Sequence, residues 1–284
     1  MARQRTMEVL TRSASVRDRI RQWRDAGNSI ALVPTSGTLH KGHLRLIAEA
    51  QERADRVIVS LFAHVPRREA PTQEADRELM QKIGPDVLFT PPVHEIFPFG
   101  LENGPVVDVA HLSNVLEGAH RPGYFSRLLT VLTKIINIVR PDVVVLGERD
   151  YQLLVMMRQL VDDLFYPVEL AACPIFRDYD GLAFCSSLRH MAISQRTVAV
   201  HLIGTLRALA KRLDAGERDY NALESQGCDA LAAAGLKPEY LGVRQSTDLA
   251  PARAGSRDLI LLAAASVGTI RLIDNLRVRL IDRF

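Results

Sequence analysis

Cysteine is scarce in this chain: three residues of 284, Cys173, Cys185 and Cys228, an odd number with no CxxC pair. That excludes a disulfide framework and points to a reducing compartment, so the expected location is the cytoplasm. Charge of one sign is also scarce. A net charge of +3 is too small to imply a nucleic-acid partner, and clusters such as Arg19, Arg21 and Arg24 read as solvated faces. No apolar stretch is long enough to span a bilayer without interruption by charge. The opening MARQRTMEVLTRSASVRDRI is followed by no apolar core of a leader peptide, so neither a membrane partner nor secretion is expected. Repeats and low-complexity tracts are missing as well.

The chain has ordinary material for a soluble globular protein: 47% apolar residues, 24% charged, and enough length for one large or two modest domains. Ser15 to Gly27 reads as an amphipathic helix with Val16, Ile20 and Trp23 on one side. Ser29 to Pro34 is a short continuous apolar run, as a strand buried on both faces would be. His43 to Ala54 returns to helical spacing, and Arg56 to Phe62 is a second buried strand. Strand, loop, helix and strand within about thirty residues is the size of a βαβ unit. The alternation continues with a helix over Thr72 to Lys82, a strand over Pro85 to Phe89, a long helix over Gly123 to Val139, a strand over Val143 to Leu146 and a helix over Tyr151 to Phe165. This pattern predicts a Rossmann-like, doubly wound parallel sheet with right-handed crossovers. Beyond Ser187 the character changes to a helix over Ser194 to Leu213, a further helix, the strand-like LGVRQS and the apolar run DLILLAAASVG. The expected division is therefore an α/β domain over residues 1–187 and a smaller α+β domain over 188–284.

In open parallel sheets, ligands sit beyond the carboxyl ends of the strands. Polar constellations fall there at Thr35 to His43, His64 to Arg68 and Gly147 to Asp150, with a fourth, Phe184 to Ser187, near the domain boundary. In PTSGTLHKGH, His40 and His43 stand three apart at a helix start, so both rings can meet one ligand. The helix N-terminus adds free N–H groups and partial positive charge, which suits phosphate, and Gly37 and Gly42 permit close backbone approach. Imidazole donors there would stabilise charge developing on an α-phosphate and its leaving pyrophosphate. Two other readings of the pair are a structural metal site, for which no Cys or carboxylate cluster supplies further ligands, and satisfied loop histidines.

This HxGH after the first strand resembles the nucleotidyltransferase superfamily, and the match narrows further. VPTSGTLHKGHLRLI is similar to the pantothenate synthetase family's VPTMGALHEGHLSLV, and RPGYFSRLLTVLTKIINIVRPD to its RPGHFRGVxTVVxKLFNIVxPD. GERDYQLL resembles GEKDxQQL, DGLAFCSS resembles DGLAxSSR, and GTIRLIDN resembles GxTRLIDN. The resemblance implies an ATP-dependent ligase that joins pantoate to β-alanine through an acyl adenylate, with Mg²⁺ accompanying ATP, no dedicated protein metal site, and a homodimer with a C-terminal lid. It implies a nucleotide site of Ser36, Gly37, Thr38, His40, Gly42, His43, Gly147, Arg149, Asp150, Phe176, Phe184, Cys185, Ser186 and Ser187. Of these, His43, His40 and Arg149 are the catalytic candidates, and Asp150 would face the ribose. The acid site would comprise Pro34, Thr35, His64, Arg67, Arg121, Val131 and Leu153.

The departures from the family pattern fall in those same places. Its phosphate-binding lysine is Arg149 here, and the arginine of SSR is missing from Cys185-Ser186-Ser187, with Arg189 two positions on as the candidate substitute. Cys185 has no base in its neighbourhood and reads as a small residue replacing serine. The NPxQ turn reads His64-Val65-Pro66-Arg67, and the second acid-binding glutamine is Leu153. Loss of two amide contacts to a small polar ligand costs a few kcal/mol, about 10- to 1,000-fold in affinity. The segment after that turn is shorter by roughly eight residues, and such loops shield a reactive intermediate from water. A pantoate-activating enzyme, a paralogue using another acid and amine, and an inactive nucleotide-binding scaffold are the readings the residues leave open.

Overall fold

Ile30, Ala31, Leu32 and Val33 have no measurable exposure, and neither do Val57, Ile58 and Val59. A strand can bury every side chain in a run only when both faces of its sheet are covered, which is the condition of a central parallel strand. The computed structural model, which describes residues 7–37, 39–62, 78–81 and 83–280, meets that condition. Its strands are β1 (Glu8–Leu10), β2 (Ile30–Thr35), β3 (Arg56–Leu61), β4 (Val87–Phe89), β5 (Val143–Gly147), β6 (Glu169–Cys173), β7 (Lys237–Gln245), β8 (Asp258–Val267) and β9 (Ile270–Arg279). The first six form one sheet in the order β1-β4-β3-β2-β5-β6, parallel throughout. The last three form an antiparallel sheet.

The chain divides into two compact units. One comprises Met1–Val109, Gly123–Glu148 and Met157–Pro174, and holds the parallel sheet. Strand order in it reverses between β2 and β5, which pair through Ala31↔Val143 and Leu32↔Val144. That reversal is the topological switch point, where doubly wound sheets open a crevice at the carboxyl ends of their strands. β2 ends there in Thr35 and β5 ends in Gly147. The amphipathic helices α1 (Ser13–Asp25) and α2 (Lys41–Arg53) follow β1 and β2, and Ile47 and Ala50 of α2 pack in a core cluster with Val33, Val57 and Val145.

The other unit comprises Ala110–Pro122, Arg149–Met156 and Ile175–Phe284. Its core lies between the three-stranded sheet and the helices His201–Asp214 and Tyr220–Ala233, with Leu206, Leu209, Leu223 and Leu231 packed against Leu241, Val243, Leu259 and Leu261. The sequence predicts a single helix over Ser194 to Leu213. It is interrupted: Ile193–Ala199 and His201–Asp214 meet at Val200. Val200 keeps right-handed helical dihedrals (φ −62°, ψ −20°), so the apolar spacing runs through the break and hides it. The predicted helix over Thr72 to Lys82 lies largely outside the described residues. No helix among the described residues is long and apolar enough to cross a membrane.

Gly227 shows how closely this second core is packed. A Cβ added there would lie 2.6 Å from a methyl of Leu241 and 2.9 Å from one of Leu209. Gly→Ala inside a helix ordinarily gains about 1 kcal/mol, whereas overpacking costs about 1–3 kcal/mol. Gly227→Ala is therefore expected to lower the urea midpoint despite the better helix former. A raised midpoint would show that the two leucines can move aside.

Candidate active site

Thr35, the last residue of β2, donates its hydroxyl to the carbonyl of Ser60 at 3.0 Å, fixing the strand end that launches the loop to α2. Pro34, Thr35 and Ser36 are half-buried, and Gly37 is buried with φ +88°, a conformation that favours glycine. Thr38 lies outside the described residues. His40 caps α2: its Nδ1 accepts the amide of Gly42 at 3.1 Å. His43, the third residue of the helix, reciprocates, its Nδ1 accepting the amide of His40 at 3.2 Å. This is a capping box built from two imidazoles instead of Ser and Glu. The rings lie 4.1 Å apart, centroid to centroid.

The cap has a chemical consequence. With each Nδ1 occupied as an acceptor, the neutral rings carry their protons on Nε2. Two N–H donors are thereby fixed at a helix N-terminus whose first turn has no acidic residue, and the positive end of the helix dipole adds to them. Gly42 is part of the device. A Cβ on it would lie 2.9 Å from Cε1 and 3.0 Å from Nδ1 of His40, so the ring rests on the glycine because nothing else fits beneath it. Gly147 closes β5 in the same unit, with the Leu46 side chain 3.8 Å from where its Cβ would be. Val131 is buried in the helix Tyr124–Val139.

In the other unit, Arg149 and Asp150 belong to the 3-10 turn Glu148–Asp150. The Arg149 guanidinium donates to the carbonyl of Phe184 at 3.2 Å and pairs with Asp150 at 3.5 Å. Phe184 ends a tight excursion of the chain that begins at Phe176: Phe184 N–H bonds the carbonyl of Phe176, and their rings lie 5.5 Å apart. Cys185, Ser186 and Ser187 follow, all half-buried, with Cys185 capping the 3-10 turn Ser186–His190. The side chain of Arg189 is outside the described residues. Thus Arg149 and Asp150 are brought to the segment that holds the predicted positions Phe176 and Phe184 to Ser187, over twenty residues further along the chain.

Of the predicted acid-site residues, His64 and Arg67 lie outside the described residues. Leu153 is half-buried in the helix Tyr151–Asp163. Its neighbour Gln152 is buried and structural: the side chain donates to the carbonyls of Leu112 and Val115 and accepts the amide of Glu117. Arg121 pairs with the buried carboxylate of Glu117 at 3.2 Å.

Three side chains of β9 that sequence reasoning assigned no role each tie a different segment. Arg271 bonds Glu117 and Glu239. Burial works against its charge, but the two carboxylates outweigh it and hold the guanidinium above its ordinary value. Burial raises the Tyr240 phenol strongly, and the Glu117 carboxylate it donates to adds to the effect. Asp274 takes both nitrogens of Arg177, at 2.7 and 2.9 Å. Burial pushes its carboxyl up while Arg177 pulls it down. Asn275 donates from Nδ2 to the carbonyl of Arg149 at 3.1 Å. The available signal was the break in β9's alternation, where Asp274 and Asn275 are consecutive and both buried.

The sequence profile of the Pantoate-beta-alanine ligase family matches residues 8–277. The chain belongs to the pantoate–β-alanine ligase family. Curated relatives named pantothenate synthetase are 40% identical in Nitrosococcus oceani and 41% identical in Thioalkalivibrio sulfidiphilus, each match covering 96% of this chain and 99% of the relative. A crystal structure of pantothenate synthetase from Thermus thermophilus is similar at a TM-score of 0.86 with 31% identity, covering 95% of this chain and 99% of that one. A pantoate–β-alanine ligase from Francisella tularensis, solved as a complex with β,γ-ATP and β-alanine, is similar at a TM-score of 0.76 with 27% identity, covering 95% and 97%. As a member of this ligase family the chain is an enzyme, and the Rossmann-like sheet expected from its alternating runs is the fold it has.

Proposed function

We propose that this pantoate–β-alanine ligase forms pantothenate in two steps. Pantoate's carboxylate attacks the α-phosphate of ATP, forming pantoyl adenylate and releasing pyrophosphate; the amine of β-alanine then attacks the acyl carbon and releases AMP. The observation that carries this reading is the imidazole capping box. It fixes the Nε2–H donors of His40 and His43 at the helix N-terminus, the arrangement that stabilises charge gathering on a phosphate as its leaving group departs. His43 is the donor to the reacting phosphate and His40 its companion.

Ser36, Gly37 and Gly42 supply backbone approach to the phosphates, and the family resemblance adds Thr38 to the nucleotide-binding candidates. Arg149 supplies a cation, and Asp150 accepts from the ribose. By the family resemblance, Gly147, Phe176 and Phe184 to Ser187 are the further nucleotide-binding candidates, and Pro34, Thr35, His64, Arg67, Arg121, Val131 and Leu153 the acid-binding candidates. Residues 1–187 would hold nucleotide and acid, and 188–284 would serve as the lid. Mg²⁺ would travel with the ATP phosphates, which need only one or two protein carboxylates to share it. Among the described residues no group of three or more His, Cys, Asp or Glu gathers to hold a metal. The free cysteines favour a reducing compartment, the cytoplasm, and the family resemblance favours a homodimer.

Incubation with ATP, Mg²⁺, pantoate and β-alanine should yield pantothenate, AMP and pyrophosphate in equal amounts by mass spectrometry. ADP and phosphate in their place would sink the adenylate route. Turnover with a different hydroxy acid but not with pantoate would favour a changed substrate, the outcome to which Leu153 in place of a glutamine points.

A further inference from the structure

A closed ring of hydrogen bonds runs through the second unit. Asn275 holds the backbone of Arg149 by its carbonyl. The guanidinium of Arg149 holds the carbonyl of Phe184. Phe184 belongs to the excursion that Arg177 secures, through the isolated bridge Arg177↔Ala183 and a 2.9 Å bond from Arg177 to the carbonyl of Gly181. Arg177 in turn grips Asp274 with both terminal nitrogens and reaches the carbonyl of Asn275 at 3.1 Å. The amide of Asn275 bonds Asp274 at 2.7 Å, which closes the ring on adjacent residues of one strand.

From this geometry we infer that Asn275, backed by the buried Arg177–Asp274 pair, is a positioning residue. It sets where the Arg149 guanidinium stands relative to Phe184 to Ser187. The inference rests on the ligase reading above, in which those residues handle the nucleotide. β9 is a rigid reference: it pairs with β8 along ten residues from Asp258↔Arg279 to Val267↔Ile270. The 3-10 turns Glu148–Asp150 and Ser186–His190 are not themselves strands of either sheet. A bidentate arginine–carboxylate pair restricts both distance and rotation, so the strand transmits its position to both turns. Arg149 suits this use better than a lysine would, because a planar fork can hold the Phe184 carbonyl with one nitrogen and direct the others elsewhere.

The test compares Asn275→Ala, Asn275→Asp and Arg149→Ala, singly and with Asn275→Ala combined with Arg149→Ala. Asn275→Asp keeps the shape but cannot donate to the Arg149 carbonyl. Rates of pantoate adenylation and ATP affinity by calorimetry are the readouts, with circular dichroism confirming the fold. Misplacing a catalytic group by about an ångström costs up to about 100-fold in rate. Both Asn275 variants should therefore lose about 10- to 100-fold in kcat, with the KM for pantoate within about twofold. The double variant should be no slower than Arg149→Ala, since Asn275 acts through that side chain. An active wild-type enzyme whose Asn275→Ala form keeps its kcat overturns the inference alone, as do losses that add. A wild-type protein that neither binds ATP nor forms adenylate overturns the ligase reading and this inference with it.

Discussion

His43→Gln is expected to keep the fold and lose the reaction. Glutamine at the third helical position can still return a hydrogen bond to the capping residue's amide, as in an ordinary capping box. The bond His43 now makes to the amide of His40 therefore has a replacement. His43→Ala has none, and should cost about 0.5–2 kcal/mol of stability as well. Neither variant retains the Nε2–H of His43 at the helix end; the His40 ring stays. Loss of a general acid or an oxyanion-type donor lowers rates by about 100- to 10,000-fold, and adenylate formation should fall within that range in both. Thermal melts separate the two effects: His43→Gln near wild type, His43→Ala below it. A fully active His43→Gln enzyme would remove the role assigned to the ring.

Asp274→Ala is expected to be the most destabilising single change in the second unit. Its carboxylate is 2% exposed and faces the Arg177 guanidinium, itself 21% exposed. Truncation leaves that cation largely buried without its partner, a change that costs about 3–5 kcal/mol. Replacing both charges with apolar residues of similar size is often neutral, because the desolvation of two ions offsets their attraction. Arg177→Met with Asp274→Leu should accordingly recover most of the lost urea midpoint. It should not recover adenylation, because the link from β9 to the Phe176–Phe184 excursion is gone. A double variant as unstable as Asp274→Ala would show that the pair's hydrogen bonds, not its charges, hold the unit together.

Much of the fold was legible because burial on both faces leaves continuous apolar runs. Ile30 to Val33, Val57 to Val59 and Val143 to Val145 announced β2, β3 and β5, and their spacing announced the helices between them. β1 and β6 gave no such signal. The first is three residues long, and the second, Glu169–Cys173, is an edge strand that opens on an exposed glutamate and buries only Ala171 and Cys173. β9 escaped for a different reason: it is rich in arginine and carries Asp274 and Asn275 in its interior. Those residues are satisfied by partners far along the chain, such as the 154 positions between Arg271 and Glu117, and no local pattern reports them.

The candidate site divides in the same way. The histidine pair could be placed on a helix start from its spacing alone, because a cap is a local structure. What the sequence withheld was the direction of the rings, which depends on both Nδ1 atoms being taken by backbone amides. The pairing of Arg149 with the Phe184 carbonyl was likewise invisible, since it joins residues 35 positions apart. Gln152 carries a related lesson. It stands beside the acid-site position Leu153, yet its side chain is spent on the backbone of residues 112–117.

In the proposed two-step route, adenylation precedes the attack of the amine and does not need it. Exchange of labelled pyrophosphate into ATP, with pantoate present and β-alanine withheld, tests it most directly. Exchange should depend on pantoate, proceed without β-alanine and disappear in His43→Gln. Exchange that begins only when β-alanine is added, or that runs undiminished in His43→Gln, would contradict it.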